Sequence, residues 1–429
     1  LIIEEVMNQA SERLNLDPAQ LKARNFYGPA PRNMTPYGQE VIADRSQRIY
    51  DELILSSSYQ QRRTDIEKWN QGNPWIKRGI AYQAIKFGIS FTASHLNQAG
   101  ALVMIYADGS VQLNHGGTEM GQGLHTKMLT ICAHELGVTL DHIRMMNTAT
   151  DKVPNTSATA ASSGSDLNGQ AVALACRTLI TRLRPVAATL FDFADPDSEA
   201  ANVRFEGGLV SHPQRTTNLT FEAVTQAAYM AQVSLSATGF YRTPNIHYNR
   251  STGQGKPFHY FAYGGAVLEV EVNGLTGEHR LTKVDILHDV GQSLVPSIDR
   301  GQIEGGFIQG LGWLTREELS FSDSGFLLTH SPDTYKIPAY GDAPKHFKVD
   351  LLKQADQFDV IHGSKAVGEP PFLLALGVLN ALRQAIGSYH PQGVVEALPI
   401  PCTPEAILSA ITVAQGRLTA RQALHRAQG

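Results

Sequence analysis

The sequence predicts a mixed α/β (α+β) fold made of two packed α/β subdomains, and three observations lead to this prediction. Stretches with the alternating apolar pattern of strands are interleaved with helical stretches along most of the chain. At 429 residues the chain exceeds the usual limit of a single hydrophobic core. Its 42% hydrophobic and 18% charged residues suit a folded globule rather than a disordered chain.

This alternation divides the chain into three stretches. Residues 1–75 are predicted to form a helical connecting segment, residues 76–250 the first subdomain, and residues 251–429 the second. In the connecting segment, 2–14 is an amphipathic helix, Asp17-Pro18 opens the next turn, and 48–69 is predicted as one polar helix. The pattern does not determine the order of strands in the sheets.

Strand and helix signals continue through both subdomains. In the first subdomain the predicted elements are a strand over 77–91, a hairpin over 101–115 turning at Asp108-Gly109, helices over 124–136 and 167–183, and a strand over 233–241. In the second subdomain they are a strand over 258–272, a turn over 273–277, a helix from about Ile298, and a buried helix over 372–386.

A carboxylate on a rigid turn stands out at residues 365–371, Lys-Ala-Val-Gly-Glu-Pro-Pro. The two prolines can open a helix, which places Glu369 just ahead of a helix N-terminus, where the backbone dipole favours the ionised carboxylate. An ionised, poorly solvated carboxylate suits a general base. The simpler interpretation is a helix cap, since most carboxylates at helix starts are structural.

Two loops, each followed by a helix, offer places for a ligand. Residues 116–123, Gly-Gly-Thr-Glu-Met-Gly-Gln-Gly, form a backbone concavity that suits an anion or a planar group, or simply a tight turn. It is not a phosphate-binding P-loop, because Lys127 comes too late. Residues 151–166 are small and rich in hydroxyls, which suits phosphate or pterin oxygens, although such runs are usually solvated linkers.

Taken together, these motifs resemble those of the molybdenum hydroxylases. The resemblance covers nearly the whole chain and is strongest to the molybdopterin-binding part of the xanthine dehydrogenase/oxidase family. The motifs that carry it are 116–123, 159–162, 238–245 and 365–371, with 289–305 and 335–338 fitting the same pattern.

The resemblance implies a role for each matching residue. Glu369 is the base that takes a proton from the water-derived oxygen, which attacks an electrophilic C–H carbon of a heterocycle. Phe91 and Thr92 bind the purine, although ordinary core packing would explain Phe91 without the resemblance. The positions that hold the pterin and its phosphate are Gln122, Ala160, Ala161, Ser162, Ser165 and Gln302.

No metal is expected on protein side chains, because the family holds molybdenum through the pterin. The spacing of His115, His125 and His134 supplies no tight ligand set. The three cysteines form no Cys-x-x-Cys pair, which argues against an iron–sulfur site on this chain. A net charge of −4 offers no basic footprint for nucleic acid, and no apolar run approaches the ~20 residues of a membrane span.

The resemblance also implies partners and cofactors. We expect a molybdenum–molybdopterin cofactor in its sulfido form, with 2Fe-2S clusters and FAD on partner domains or chains, and a purine as substrate. We also expect a facing first half of the molybdenum region, a higher oligomer and a cytoplasmic location. The chain starts without methionine, which favours a piece of a longer enzyme that is inactive alone. A hydroxylase of another N-heterocycle, such as nicotinate, or of aldehydes is the alternative.

Overall fold

The structure is a computed structural model and describes residues 1–390, 395 and 398–412. The α-helices are α1 (Ile2–Leu14), α2 (Pro18–Arg24), α3 (Ser46–Ser56), α4 (Tyr59–Gly72), α5 (Leu124–Leu136), α6 (Gly164–Leu190), α7 (Pro196–Glu199), α8 (Phe221–Met230), α9 (Pro296–Thr315) and α10 (Leu376–Gly387). The strands are β1 (Ile76–Ile89), β2 (Gln98–Ile105), β3 (Val111–His115), β4 (Ile143–Met145), β5 (Arg204–Glu206), β6 (Leu209–Ser211), β7 (Leu219–Thr220), β8 (Ser236–Arg242), β9 (His247–Asn249), β10 (Gln254–Lys256), β11 (Tyr260–Asn273), β12 (His279–His288) and β13 (His346–Leu351).

Most predicted elements are present, and one is wrong. Helices α1 and α5 match their predicted ranges, and β2 and β3 form the predicted antiparallel hairpin around Asp108-Gly109. The single polar helix predicted over 48–69 is two helices, α3 and α4. The break falls at Ser57-Ser58, where Ser58 has a left-handed φ of 55° that an α-helix cannot contain.

One sheet carries the core of the C-terminal part. Its strand order is β1-β11-β12-β13, antiparallel except for the last, parallel pair. Helices α9 and α10 pack with this sheet, and α3 and α4 pack against β11 and β1. The approach of α10 is close enough to require glycine in β1, since a Cβ at Gly79 would lie 1.9 Å from the Ala381 carbonyl oxygen.

A second sheet, of order β4-β3-β2-β8, repeats this arrangement with other helices. Helix α6 crosses β2 and β8, while α5 and α8 complete its core. Gly239 in β8 allows the same close approach of a helix as Gly79 does in β1, because a Cβ at Gly239 would lie 1.9 Å from the Ala171 carbonyl oxygen of α6. Smaller sheets are formed by β5-β6-β7 and by β9-β10.

The starts of α5 and α6 belong to the second sheet's core, whereas α9 and the segment before α10 belong to the first sheet's core. The subdomain boundaries at 75/76 and 250/251 stay a prediction. Strand β1, from the first predicted subdomain, pairs along its length with β11 from the second. Residues 413–429 of the second predicted subdomain lie outside the described residues. Among the helices that are described, none is long and apolar enough to cross a membrane.

Candidate active site

A cavity of about 260 Å³ lies where the two cores adjoin, at the starts of α5 and α6 and beside Glu369. Its lining residues are Met120, Gln122, Leu124, Lys127, Thr159, Ala160, Ser162, Gly164, Ser165, Gln302, Ala366, Val367, Gly368 and Glu369. Cavities of about 470 and 650 Å³ lie elsewhere and include none of the predicted site residues. The smaller cavity is therefore the candidate site on chemical grounds.

The cavity brings together most of the residues that the sequence singled out. Gln122, Ala160, Ser162, Ser165, Gln302 and Glu369 all line it, although they come from four separate stretches of the chain. Ala161 lies between two lining residues, and its backbone N–H interacts with the Glu369 carboxylate. Phe91 and Thr92 are not among the lining residues. Their proposed role in binding substrate remains a prediction, as do the other roles.

Glu369 occupies the position before a short 3-10 helix, Pro370–Ala375, but its side chain does not cap that helix. Instead its backbone N–H donates to Ser162 Oγ at 2.7 Å. Burial raises the pKa of Glu369, and the backbone N–H of Ala161 only partly opposes the rise. Burial is therefore the dominant influence on the pKa of Glu369. The prolines at the first two helical positions have no N–H to direct at the carboxylate.

The glycine-rich loop 116–123 is organised by a carboxylate of its own. Glu119 Oε1 accepts the N–H groups of Gly121 and Gly123, and Oε2 accepts that of His125 in α5, each at 2.9 Å. Burial opposes ionisation, yet these backbone donors prevail and lower the pKa of Glu119. The backbone concavity that was predicted to suit an external anion is thus occupied by the carboxylate of Glu119 itself. The sequence signal was present, since Glu119 stands in the middle of the motif.

The second loop, before α6, has an unusual backbone. Ala161 and Ser162 both adopt left-handed φ values, 54° and 55°, which are uncommon outside glycine and asparagine. Thr159 Oγ1 accepts the N–H of Thr118, so the two loops are joined. This conformation directs Ser162 Oγ to the Glu369 backbone. The loop therefore links one wall of the cavity to the segment that carries the carboxylate.

The two candidate glutamines differ in their bonding. Gln122 is engaged within its own loop, because its carbonyl oxygen accepts the N–H of Met120 and its Nε2 donates to Thr118 O at 2.8 Å. Gln302, on α9, has no side-chain hydrogen bond to any described residue. Gln302 therefore presents an unused amide to the cavity, whereas Gln122 shapes the wall.

Lys127 lines the cavity, and sequence reasoning did not assign it a role. Its buried Nζ forms an ion pair with Asp299 Oδ1 at 2.6 Å, and Asp299 also accepts the hydroxyl of Ser293. Because Asp299 lies one turn before Gln302 on α9, this pair ties the start of α5 to the start of α9. A separation of 172 residues hid the pair from inspection of the sequence.

Phe91 follows β1 and is fixed through its backbone rather than through ring contacts. Asn97 is almost wholly buried, and it accepts the Phe91 N–H and donates to the Phe91 carbonyl, each at 2.8 Å. The Phe91 ring is half-buried and has no aromatic neighbour within the described part of the chain. The Phe91 ring is therefore neither fully packed in the core nor stacked on another aromatic ring of the described residues.

The three histidines singled out in the sequence have different neighbours in the structure. His115 and His125 meet edge to face, and burial followed by the His125 charge lowers the pKa of His115 to about 4. In the described residues, His134, Glu135 and His362 bring ligand atoms within 4.8 Å of one another. Glu135 is already bound by a forked Arg177 contact and by His362 Nε2 at 3.0 Å.

Comparison with known proteins identifies the class. A family model described as the molybdopterin cofactor-binding domain matches residues 52–344, which is more than half of the chain. The chain belongs to this family and so to the molybdenum hydroxylases. The predicted resemblance is confirmed.

Within this class, the sequence is similar to xanthine dehydrogenases. It is 44% identical over 416 residues to xanthine dehydrogenase/oxidase of Mus musculus, and 43% identical over 389 residues to xanthine dehydrogenase of Dictyostelium discoideum. The alignments cover 96% and 90% of this chain but 29% and 27% of those relatives. The chain thus spans less than a third of the length of these relatives.

Solved structures show the same fold. Quinoline 2-oxidoreductase from Pseudomonas putida 86 superposes with a TM-score of 0.81 at 23% identity, covering 95% of this chain and 51% of that one. CO dehydrogenase from Oligotropha carboxidovorans superposes with a TM-score of 0.82 at 20% identity, covering 97% and 51%. The prediction of mixed helices and sheets is confirmed.

Proposed function

We propose that this chain is the molybdopterin-binding portion of a xanthine dehydrogenase-type hydroxylase, which oxidises hypoxanthine and xanthine towards urate with oxygen from water. The main support is a single cavity that unites Glu369 with five of the six predicted pterin-binding residues. The choice of a purine is supported by 44% identity to the Mus musculus relative over 96% of the chain.

The lining residues fit a pterin and its phosphate. Gln302 offers an unused amide donor and acceptor, and the Ser165 hydroxyl also has no partner within the described residues. Small residues such as Ala160 and Gly164 leave room for close approach of a flat ring. When bound, the molybdenum–molybdopterin cofactor in its sulfido form would supply a Lewis acid and a two-electron acceptor.

Glu369 acts as the general base in this proposal. Burial raises its pKa towards the range in which a carboxylate removes protons efficiently near neutral pH. Ser162 Oγ holds the Glu369 backbone, and the Ala161 N–H holds the carboxylate. A carboxylate oxygen of Glu369 takes up the proton of the water-derived oxygen. Loss of this proton makes the water-derived oxygen nucleophilic towards the purine carbon.

Phe91 and Thr92 would bind one side of the purine. A ring contact of this kind contributes about 0.5–1.5 kcal/mol beyond buried area, so Phe91 orients the substrate rather than activating it. Asn97 holds the Phe91 backbone on both its N–H and its carbonyl, which limits how far the ring can move. The half-exposed ring leaves a face available to a planar ligand.

The rest of the proposed enzyme lies on other domains or chains. Electrons would pass through 2Fe-2S clusters and FAD to NAD, and a facing half of the molybdenum region would complete the substrate pocket. The share of the relatives covered by this chain, below a third, leaves room for these parts. We extend the proposal to a higher oligomer in the cytoplasm.

The substitution Glu369→Gln tests the base. In the complete enzyme, we expect kcat for xanthine to fall about 10²- to 10⁴-fold, because the variant cannot accept the proton. Molybdenum and pterin content should stay at the wild-type level, and the exposed Glu304→Gln on α9 serves as the matched control. Activity close to wild type with full cofactor content would exclude this role. Turnover of nicotinate or an aldehyde in place of xanthine would favour the alternative hydroxylase.

A further inference from the structure

Two buried hydrogen bonds connect the start of α6 to the backbone just before Glu369. The Ala366 N–H donates to Tyr260 Oη at 2.8 Å, and the Tyr260 hydroxyl donates to Asp166 Oδ2 at 2.7 Å. Tyr260 begins β11, and Asp166 lies in the first turn of α6. Both side chains are buried, with 5% and 8% of their surface exposed. The connection therefore crosses the interior between the two cores.

Burial of this carboxylate is unfavourable for folding. Asp166 is a buried carboxylate, and Tyr260 is its single recorded hydrogen-bond donor among the described residues. Such a group costs free energy, and burial raises its pKa to about 7. A phenylalanine at position 260 would fill the same space without drawing on a buried acid. The hydroxyl is what joins Ala366 to α6.

The segment that carries Glu369 is attached a second time, to the loop just before α6. Its far end is held by Ser162 Oγ, which accepts the Glu369 N–H at 2.7 Å. Its near end is held by Tyr260 and Asp166 through Ala366. Lys365, just before, is buried against Asp289 at 2.5 Å. These bonds thus fix the position of Glu369 relative to the loop and helix that line the opposite wall of the cavity.

We propose that Tyr260 and Asp166 are positioning residues for Glu369. The pair fixes the Ala366–Glu369 backbone relative to the start of α6, and so sets the distance between the carboxylate and the cofactor side of the cavity. A base must be held within hydrogen-bond reach of the proton it removes, and a shift of about 1 Å is enough to cost about 10²-fold in rate. This inference rests on the proposed function for its catalytic consequence but not for its structural content.

Hydrogen exchange of the 429-residue chain tests the structural content. In Tyr260→Phe, we expect the amide of Ala366 to exchange about five- to tenfold faster than in wild type, because it loses its acceptor. The matched control is Tyr263→Phe, in the same strand but on its opposite face, whose hydroxyl has no partner in the described residues. That variant should leave the Ala366 amide unchanged.

Kinetics of the complete enzyme test the catalytic consequence. Tyr260→Phe should lower kcat for xanthine about tenfold or more with little change in KM, and should shift the acidic limb of the pH profile of kcat/KM, since Glu369 moves. Asp166→Asn keeps an acceptor for the tyrosine hydroxyl and should restore most of the rate that Asp166→Ala loses. A purely structural role would lower cofactor content or thermal stability and leave the pH profile in place.

The two experiments fail independently. If Ala366 exchanges no faster in Tyr260→Phe than in Tyr263→Phe, the inference is wrong whatever the complete enzyme catalyses. If exchange accelerates but kcat and the pH profile match those of Tyr263→Phe in an active enzyme, the pair anchors the segment but does not position Glu369 for catalysis. A wild-type complex that does not hydroxylate purines would instead reject the proposed function, and the exchange result would still decide whether the pair anchors this segment.

Discussion

The two loop–helix units that line the cavity each place a carboxylate near the helix start, but in opposite surroundings. In the first unit, Glu119 lies among three backbone N–H groups, which lower its pKa against the effect of burial. In the second unit, Asp166 is buried and accepts one tyrosine hydroxyl, and burial raises its pKa to about 7. The ionised form is stabilised in one unit and penalised in the other.

This difference shows how each unit is held. In the first loop the side chains of Glu119 and Gln122 bond locally, to groups within eight residues of themselves. The second loop depends on the rest of the molecule, because Ser162 and Asp166 bond to Glu369 and Tyr260, which are 207 and 94 residues away. The carboxylate of the first unit thus has local partners, and the carboxylate of the second has a distant one.

The largest effect that would separate the two units is the pH dependence caused by Asp166. Its folded pKa lies above the unfolded value near 3.8, so the folded state retains a proton that the unfolded state releases. Relative to Asp166→Asn, wild type should lose stability as pH rises from about 4 to about 7, by at most roughly 4 kcal/mol. Tyr260 and Lys127, which both face this carboxyl, reduce the loss.

Urea unfolding of the 429-residue chain at several pH values measures this difference. The exposed Asp323→Asn is the control and should show no such trend. A stability difference between wild type and Asp166→Asn that stays constant between pH 4 and 8 would mean that Asp166 ionises normally, and the contrast between the two units would disappear.

Glu119 should give a smaller effect of the opposite sign. Glu119→Gln weakens the bond to the His125 N–H and removes the charge at the start of α5, which we expect to cost about 1 kcal/mol at pH 7. Because the folded pKa is lowered, the advantage of wild type is present above the unfolded pKa and vanishes as pH falls through the folded pKa. The measurement is the same unfolding series, with the exposed Glu318→Gln as control. An advantage that grows on acidification would contradict it.

The smallest effects on stability concern the two glutamines. Gln302→Ala should change the free energy of unfolding by less than about 0.5 kcal/mol, because its amide has no partner to lose. Gln122→Ala should cost about 1 kcal/mol, since it breaks two hydrogen bonds within the loop. Both should lower the pterin content of the purified protein. Full pterin and molybdenum in both variants would show that these loops do not hold the cofactor.

The sequence predicted what depends on local pattern. The glycine loop, the hydroxyl-rich loop and the Glu-Pro-Pro turn were found because turn residues and helical periodicity are visible in short windows. The break at Ser58 was missed, since three serines in a row do not by themselves exclude a helix. Glu119 was visible but was not recognised as the loop's own anion.

The long-range pairs were beyond the reach of the pattern. Lys127 with Asp299, and Asp166 with Tyr260, join residues 172 and 94 positions apart, and no periodicity relates them. Without the family resemblance, Phe91 would have been assigned to the core. The rise in the pKa of Glu369 was not foreseen, because it depends on burial of the carboxylate in the folded chain.

The pairing of β1 with β11 has a consequence for synthesis of the chain. Ile89 pairs with Tyr260 and Ile76 with Asn273, so the partners are roughly 170 to 200 residues apart. At about 5–20 residues per second, β1 leaves the ribosome roughly 10–40 s before β11 is made. During that interval its backbone groups have no strand to bond, and a long apolar edge of this kind readily associates with other chains. The cavity, whose last lining residue is Glu369, is completed later still, so a ligand that needs the whole cavity can bind only after both sheets have folded.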